Sequence, residues 1–189
     1  TAIVLPHRAG RLRALHAWYR RSARVLPWRE TSDPYRVWLA EIILQQTRVV
    51  QGLPYYERFL KKFPTVHHLA SAPLDDVLKC WEGLGYYTRA RNLHRCAKAI
   101  VEQHGGSFPG TAEALQLLPG IGRYTAAAIA SIAFHEPVAV LDGNVIRVIS
   151  RWFDLADNVD LPTTRENLWQ IASELLPRRG DPGIHNQAM

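Results

Sequence analysis

From about residue 11 onward, apolar positions recur every three or four residues in short stretches separated by turn residues, and almost every stretch has helical rather than strand spacing. RLRALHAWYRRSARV (11–25) reads as an amphipathic helix with a basic face, stopped by the turn-rich LPWRETSDP. Asp33 and Pro34 are expected as the N-cap and first residue of a helix continuing through YRVWLAEIILQQTRVVQ (35–51). Further helices are predicted at about 54–62, from Pro73 to the Gly83-Leu84-Gly85 turn, and over 86–104 up to the Gly105-Gly106 stop. TAEALQLL is a short helix ending at Pro119, and an Ala-rich helix follows Gly122 and ends near Pro137. PVAVLDGN (137–144) is the only extended apolar run and is too short to imply a sheet. Asp142 is expected to cap NVIRVISRWF, and Thr163 with Glu166 makes a capping-box pattern before NLWQIASELL. DPGIHNQAM opens one more helix in which the chain stops, so a piece of a longer protein is expected. The pattern predicts an all-α fold of many short helices, with no solenoid repeat and no low-complexity segment.

Composition narrows the partners more than the fold. The 189 residues suit one large domain or two small ones, and 47% apolar with 21% charged residues is an ordinary globular balance. No stretch approaches the length of a membrane span, and TAIVLPHRAG has no secretory pattern. The formal net charge of +6 points to a polyanion, nucleic acid first, though many basic proteins bind nothing of the kind. Cys80 and Cys96 have no zinc spacing and make no disulfide framework. They read as buried free thiols in a reducing compartment: cytoplasm, or nucleus or mitochondrion in a eukaryote.

Three features carry candidate chemistry. Gly120 and Gly122 allow a tight turn and a close backbone approach just before a helix N-terminus, whose free N–H groups suit a phosphate. With the helix before it this makes a helix–hairpin–helix; the same residues also suit a plain helix–helix turn. Glu41 has Val37, Trp38 and Leu44 as helical neighbours, so its carboxyl is expected to be desolvated and to serve as a general acid, unless it reaches solvent at the edge of a core face. Asp142 stands at the join of the apolar run and a helix, as an N-cap or as the ionised member of a carboxyl pair that breaks a glycosidic bond. Aromatic residues interleave with basic and amide ones at Trp28-Arg29, at Gln45-Gln46-Thr47-Arg48 and in GLGYYTRARN, as base stacking or extrusion needs. Core anchors and solvated helix faces give the same pattern.

Taken in order, LPWR, VWLAEIILQQTRV, PYYERF, WEGLGYYTRARNLH, LPGIGRYTAAAI and LDGNVIRV resemble the MutY-type adenine DNA glycosylases, in the helix–hairpin–helix superfamily that also holds endonuclease III. The resemblance runs from about Leu26 to Met189. It implies a two-lobed all-α fold with a central cleft: a helical barrel over 28–134 carrying the hairpin, and a second, incomplete lobe from 1–27 plus 135–189. It implies removal of adenine mispaired with 8-oxoguanine or guanine, by a monomer acting on double-stranded DNA with the adenine flipped out. By the same resemblance Glu41 is the general acid that protonates the adenine at N7, and Asp142 stabilises the sugar cation. Asn144 supports Asp142, and Tyr124 helps to place both carboxylates. Arg24, Leu26 and Trp28 bracket the flipped adenine, Gln46 and Tyr86 wedge into the duplex, and Gly120, Gly122 and Arg123 hold the backbone. The endonuclease III branch carries a Lys where Tyr124 stands, so a monofunctional enzyme is implied, without strand cleavage through a Schiff base. Family members continue into four cysteines binding a [4Fe–4S] cluster and a domain that reads 8-oxoguanine; neither is in this sequence. A non-catalytic helix–hairpin–helix DNA-binding fragment and a relative acting on mismatched thymine or uracil are the alternatives.

Overall fold

Trp38, Leu39 and Ile43 have no solvent exposure, so the helix that carries them is enclosed on nearly every side and becomes the axis of the molecule. The computed structural model describes residues 8–189, which are helical with no strand among them. In chain order these are α1 Arg8–Ser22, a 3-10 turn Pro27–Arg29, α2 Pro34–Leu44, α3 Val49–Lys62, α4 Val66–Ser71 and α5 Leu74–Trp81. They continue as α6 Thr88–His104, α7 Ala112–Leu115, α8 Arg123–Ala133, α9 Gly143–Phe153, α10 Pro162–Leu175 and α11 Pro182–Ala188. Of the second lobe, residues 1–7 lie outside the described part.

Two hydrophobic clusters organise these helices. The first gathers α2 to α7 around Trp38, Tyr56, Phe59 and Trp81, with Phe59 and Trp81 edge to face at 5.8 Å. The second joins α9 and α10 to the 139–141 segment around Ile149, Leu168 and Leu175. α8 serves both: Ala126, Ile129 and Ala130 belong to the first cluster, Ala127 and Ala128 to the second. Its run of alanines lets helices approach closely on opposite sides. At Gly183 the approach is tightest, since a Cβ there would stand 2.9 Å from the Ile132 Cα. That contact seats α11 on α8, and α1 packs on α11 in turn.

Local signals hold where one turn of chain decides. Asp33, Asp142 and Asp181 all cap helices, accepting from Tyr35, from Asn144 and Val145, and from Ile184 backbone N–H groups. Four expectations are corrected. The helix expected over 35–51 stops at Leu44, because Gln46 takes a left-handed φ of 55° and Arg89 draws off the carbonyls of Ile43 and Gln45. The helix expected from about 54 starts at Val49 and runs through Pro54; the ring removes a bond to the carbonyl of Val50, whose side chain is exposed, while Tyr56 and Phe59 hold the helix to the core. α4 was not expected; Thr65 caps it, and Val66, Leu69 and Ala70 are buried. The Thr163–Glu166 capping box does not form, since α10 starts at Pro162 and Glu166 pairs with Arg123 instead.

Candidate active site

Glu41 sits on α2 one helical turn from Val37 and Leu44, and the three line one cavity of about 260 Å³. Its carboxyl is packed deep among protein atoms, while the residue keeps partial access to solvent through the cavity mouth. Burial is the main reason its pKa rises to about 7. A hydrogen bond from the Tyr124 hydroxyl works against the rise, and the charge of Asp142 adds to it. Tyr124, on the first turn of α8, is itself held as a phenol: burial, then the charges of Glu41 and Asp142, push its pKa far up.

Asp142 reaches the same cavity from the second cluster. Ala139, Val140 and Leu141 are buried and fix the strand-like approach. Asp142 Oδ1 then accepts from the Asn144 and Val145 backbone N–H groups at 2.9 and 2.8 Å, and Oδ2 from Asn144 Nδ2 at 3.0 Å. Asn144 Oδ1 in turn accepts from Arg147 Nη2 at 2.5 Å. The two backbone N–H groups and the Asn144 amide thus converge on one carboxyl at the N-terminal end of α9.

Arg24, Leu26 and Trp28 form the rim and wall on the other side. Trp28 is held by an edge-to-face contact with Tyr56 at 5.1 Å, which leaves part of its ring for the cavity. Glu41, Asp142, Tyr124, Asn144, Arg24, Leu26 and Trp28 therefore meet in one place. Sequence reading missed Asn186, Gln187 and Met189, which α11 brings to the cavity. The Tyr19 hydroxyl donates to Gln187 Oε1 at 2.8 Å, so its amide N–H₂ is the group left over. Asn186 donates to Val138 O at 2.8 Å and accepts from Val140 N at 3.3 Å, pinning the segment that leads to Asp142. Nothing near them in sequence signals this; they arrive through the contact at Gly183.

The remaining sequence candidates lie outside the cavity. Gln46 and Tyr86 are exposed non-glycine residues at φ 55° and 48°. Gly120 has φ 77°, and a Cβ there would stand 2.7 Å from Asn92 Cβ, so the turn needs glycine. Gly122 does not use its freedom: φ is −86°, and a Cβ would meet nothing. Arg123 is already engaged, 2.8 Å from Glu166 and over the Trp169 ring at 4.1 Å.

A [4Fe–4S] cluster does not fit the residues present. It takes four thiolates, and the chain has two cysteines, Cys80 and Cys96, both buried in the first cluster. Among the described residues no three His, Cys, Asp or Glu side chains converge as metal ligands.

A family model described as "HhH-GPD superfamily base excision DNA repair protein" matches residues 39–174. The adenine DNA glycosylase of Rattus norvegicus is 47% identical over 186 residues, covering 93% of this chain and 36% of the relative. That of Homo sapiens is 45% identical, covering 93% and 34%. That of Buchnera aphidicola subsp. Baizongia pistaciae is 41% identical, covering 85% and 45%. The chain thus spans about a third to under half of these relatives' length. Among solved structures, a thermostable thymine-DNA glycosylase superposes with a TM-score of 0.83 at 28% identity, over 96% of this chain and 83% of that one. A trapped endonuclease III–DNA covalent intermediate matches at 0.79 and 20% identity, over 99% and 85%, a likeness of fold.

Proposed function

The chain belongs to the HhH-GPD superfamily of base excision DNA repair proteins, and on that premise we propose that it is the catalytic core of an adenine DNA glycosylase. It hydrolyses the N-glycosidic bond of adenine opposite 8-oxoguanine or guanine, as a monomer on double-stranded DNA, with the adenine turned out into the cavity between the 28–134 lobe and the 1–27 plus 135–189 lobe. The observation that carries this reading is the pair of carboxyls on one cavity: Glu41 raised to about 7 by burial, and Asp142 held by several donors.

The roles follow from that difference. Protonated Glu41 gives its proton to the departing base, at N7, so that the base leaves neutral. Positive charge develops on the sugar, and the Asp142 carboxylate stabilises it. Water adds to the sugar carbon and gives up a proton to the Glu41 carboxylate, which restores the acid. Tyr124, with Asn144 on Asp142, sets the geometry. Tyr124 has no amine, so no Schiff base forms and the strand is left intact at an abasic site. Trp28, Leu26 and Arg24 hold the base, and the hairpin at Gly120 holds the backbone.

The test is a single-turnover reaction on duplexes with one adenine opposite 8-oxoguanine or guanine, each divided into samples with and without hot alkali. Breaks only after alkali are expected. Likeness to a thymine-DNA glycosylase structure favours a second reading, so thymine opposite guanine is the control. Release of thymine but not adenine overturns the proposal in that direction. Intact binding with no release of either base makes the chain a DNA-binding module.

A further inference from the structure

Arg89 is the second residue of α6, where the positive end of a helix makes a cation unwelcome. It is nevertheless drawn inward, and burial lowers its pKa. Its surroundings explain the placement. Nη1 donates to Ile43 O at 3.1 Å, to Ile42 O and Thr47 Oγ1 at 3.3 Å, and to Gln45 O. Nη2 donates to Leu84 O and Gly85 O, both at 3.4 Å. The guanidinium carbon lies 5.0 Å from the Trp81 ring centre and 5.5 Å from that of Tyr86. Trp81 Nε1 closes the arrangement by donating to Gly85 O at 2.8 Å.

One planar fork therefore bonds to two turns far apart in sequence, 45–47 and 84–86. Each turn carries one exposed non-glycine residue in the left-handed region, Gln46 at φ 55° and Tyr86 at φ 48°. Such conformations persist only where surrounding contacts over-determine them. Here the contacts come from Arg89, which takes up the carbonyls just before each residue, that of Gln45 and those of Leu84 and Gly85. The same fork caps the C-terminal end of α2, the helix that carries Glu41.

We infer that Arg89 is a positioning residue for base extrusion: it holds the Gln46 and Tyr86 turns as one rigid two-pronged edge, in fixed register with the helix bearing Glu41. It touches no reacting atom and acts through the two turns it joins. This rests on the glycosylase reading above. A Lys keeps the charge but cannot bond both turns, because it lacks the planar fork.

The experiment compares the wild-type protein with Arg89→Lys, Tyr86→Ala and the double variant. The substrates are adenine paired in a duplex and adenine opposite an abasic-site analogue, where no base pair has to be broken. In parallel, 2-aminopurine beside the target reports unstacking on binding. Arg89→Lys is expected to slow release of paired adenine by about 10²-fold, to remove the fluorescence rise, and to leave release of the unpaired adenine nearly unchanged. The double variant is expected to lose no more than the worse single one. Equal losses on both substrates, an additive double variant, or full function in Arg89→Lys overturns the inference. If wild type releases no adenine at all, the glycosylase reading fails, and fluorescence decides: unstacking by wild type but not by Arg89→Lys upholds Arg89, and no unstacking by wild type overturns it.

Discussion

Glu41 and Asp142 face one cavity, yet the regions that deliver them prepare a carboxyl in opposite ways. α2 is buried almost all round, and it withholds water from Glu41 until the protonated form persists to about pH 7. The 139–145 segment surrounds Asp142 with donors: two backbone N–H groups and an amide, at a helix N-terminus. The first region raises the pKa of its carboxyl by desolvation, and the second surrounds its carboxyl with hydrogen-bond donors. Neither cluster holds both halves. The two carboxyls meet only where α8, with Tyr124 on its first turn, joins the two clusters.

The comparison can be broken most sharply at its two poles. Glu41→Gln is expected to lower single-turnover adenine release by about 10²–10⁴-fold, with salt-sensitive DNA binding retained; near-normal release would remove its role as the acid. Asp142→Asn keeps a competent N-cap, so its stability should hardly change. Its release rate should nonetheless fall by about 10²–10³-fold, and a normal rate would reduce Asp142 to a capping residue.

Two smaller effects test the cause of the Glu41 shift. The general acid must be protonated, so release should fall as pH rises through about 7. The Tyr124 hydrogen bond favours the carboxylate, so Tyr124→Phe should move that alkaline fall to higher pH. A shift to lower pH would mean that the hydroxyl acts otherwise. Stability carries the same sign. Glu41 is raised from 4.5 to about 7 in the folded protein, so between those values the folded state binds more protons than the unfolded one. Its contribution is full below about 4.5 and is lost as pH rises through about 7. Glu41→Gln should therefore raise the melting temperature at pH 8 more than at pH 5, and equal changes would contradict burial as the cause.

The smallest effect lies away from the cavity. The Arg123–Glu166 pair is half exposed, so Glu166→Gln should barely change stability. It frees Arg123 for phosphate, so DNA affinity should rise slightly and its salt dependence steepen. Unchanged affinity would keep Arg123 as a strut between α8 and α10.

The caps at Asp33 and Asp142, and the apolar neighbours that desolvate Glu41, were legible because each depends on residues within about one helical turn. The break after Leu44 was not, because its partner, Arg89, lies more than forty positions away. Glu166 looked like half of a capping box and went instead to Arg123, since a local hydrogen bond and a cross-helix ion pair compete for one carboxylate. Gln187 had no signal at all.

By itself the sequence determined an all-helical chain and most of its helix starts, and it marked Glu41 as a carboxyl among apolar helical neighbours. Those properties follow from short-range periodicity, capping and composition, and they need no knowledge of distant neighbours. Only the tertiary structure decided that Glu41 and Asp142 share a cavity, that α11 closes it, and that Gln46 and Tyr86 are joined through one guanidinium. Each of those facts is a long-range contact, set by how closely alanine and glycine surfaces let helices approach α8 and by which buried polar groups then find partners.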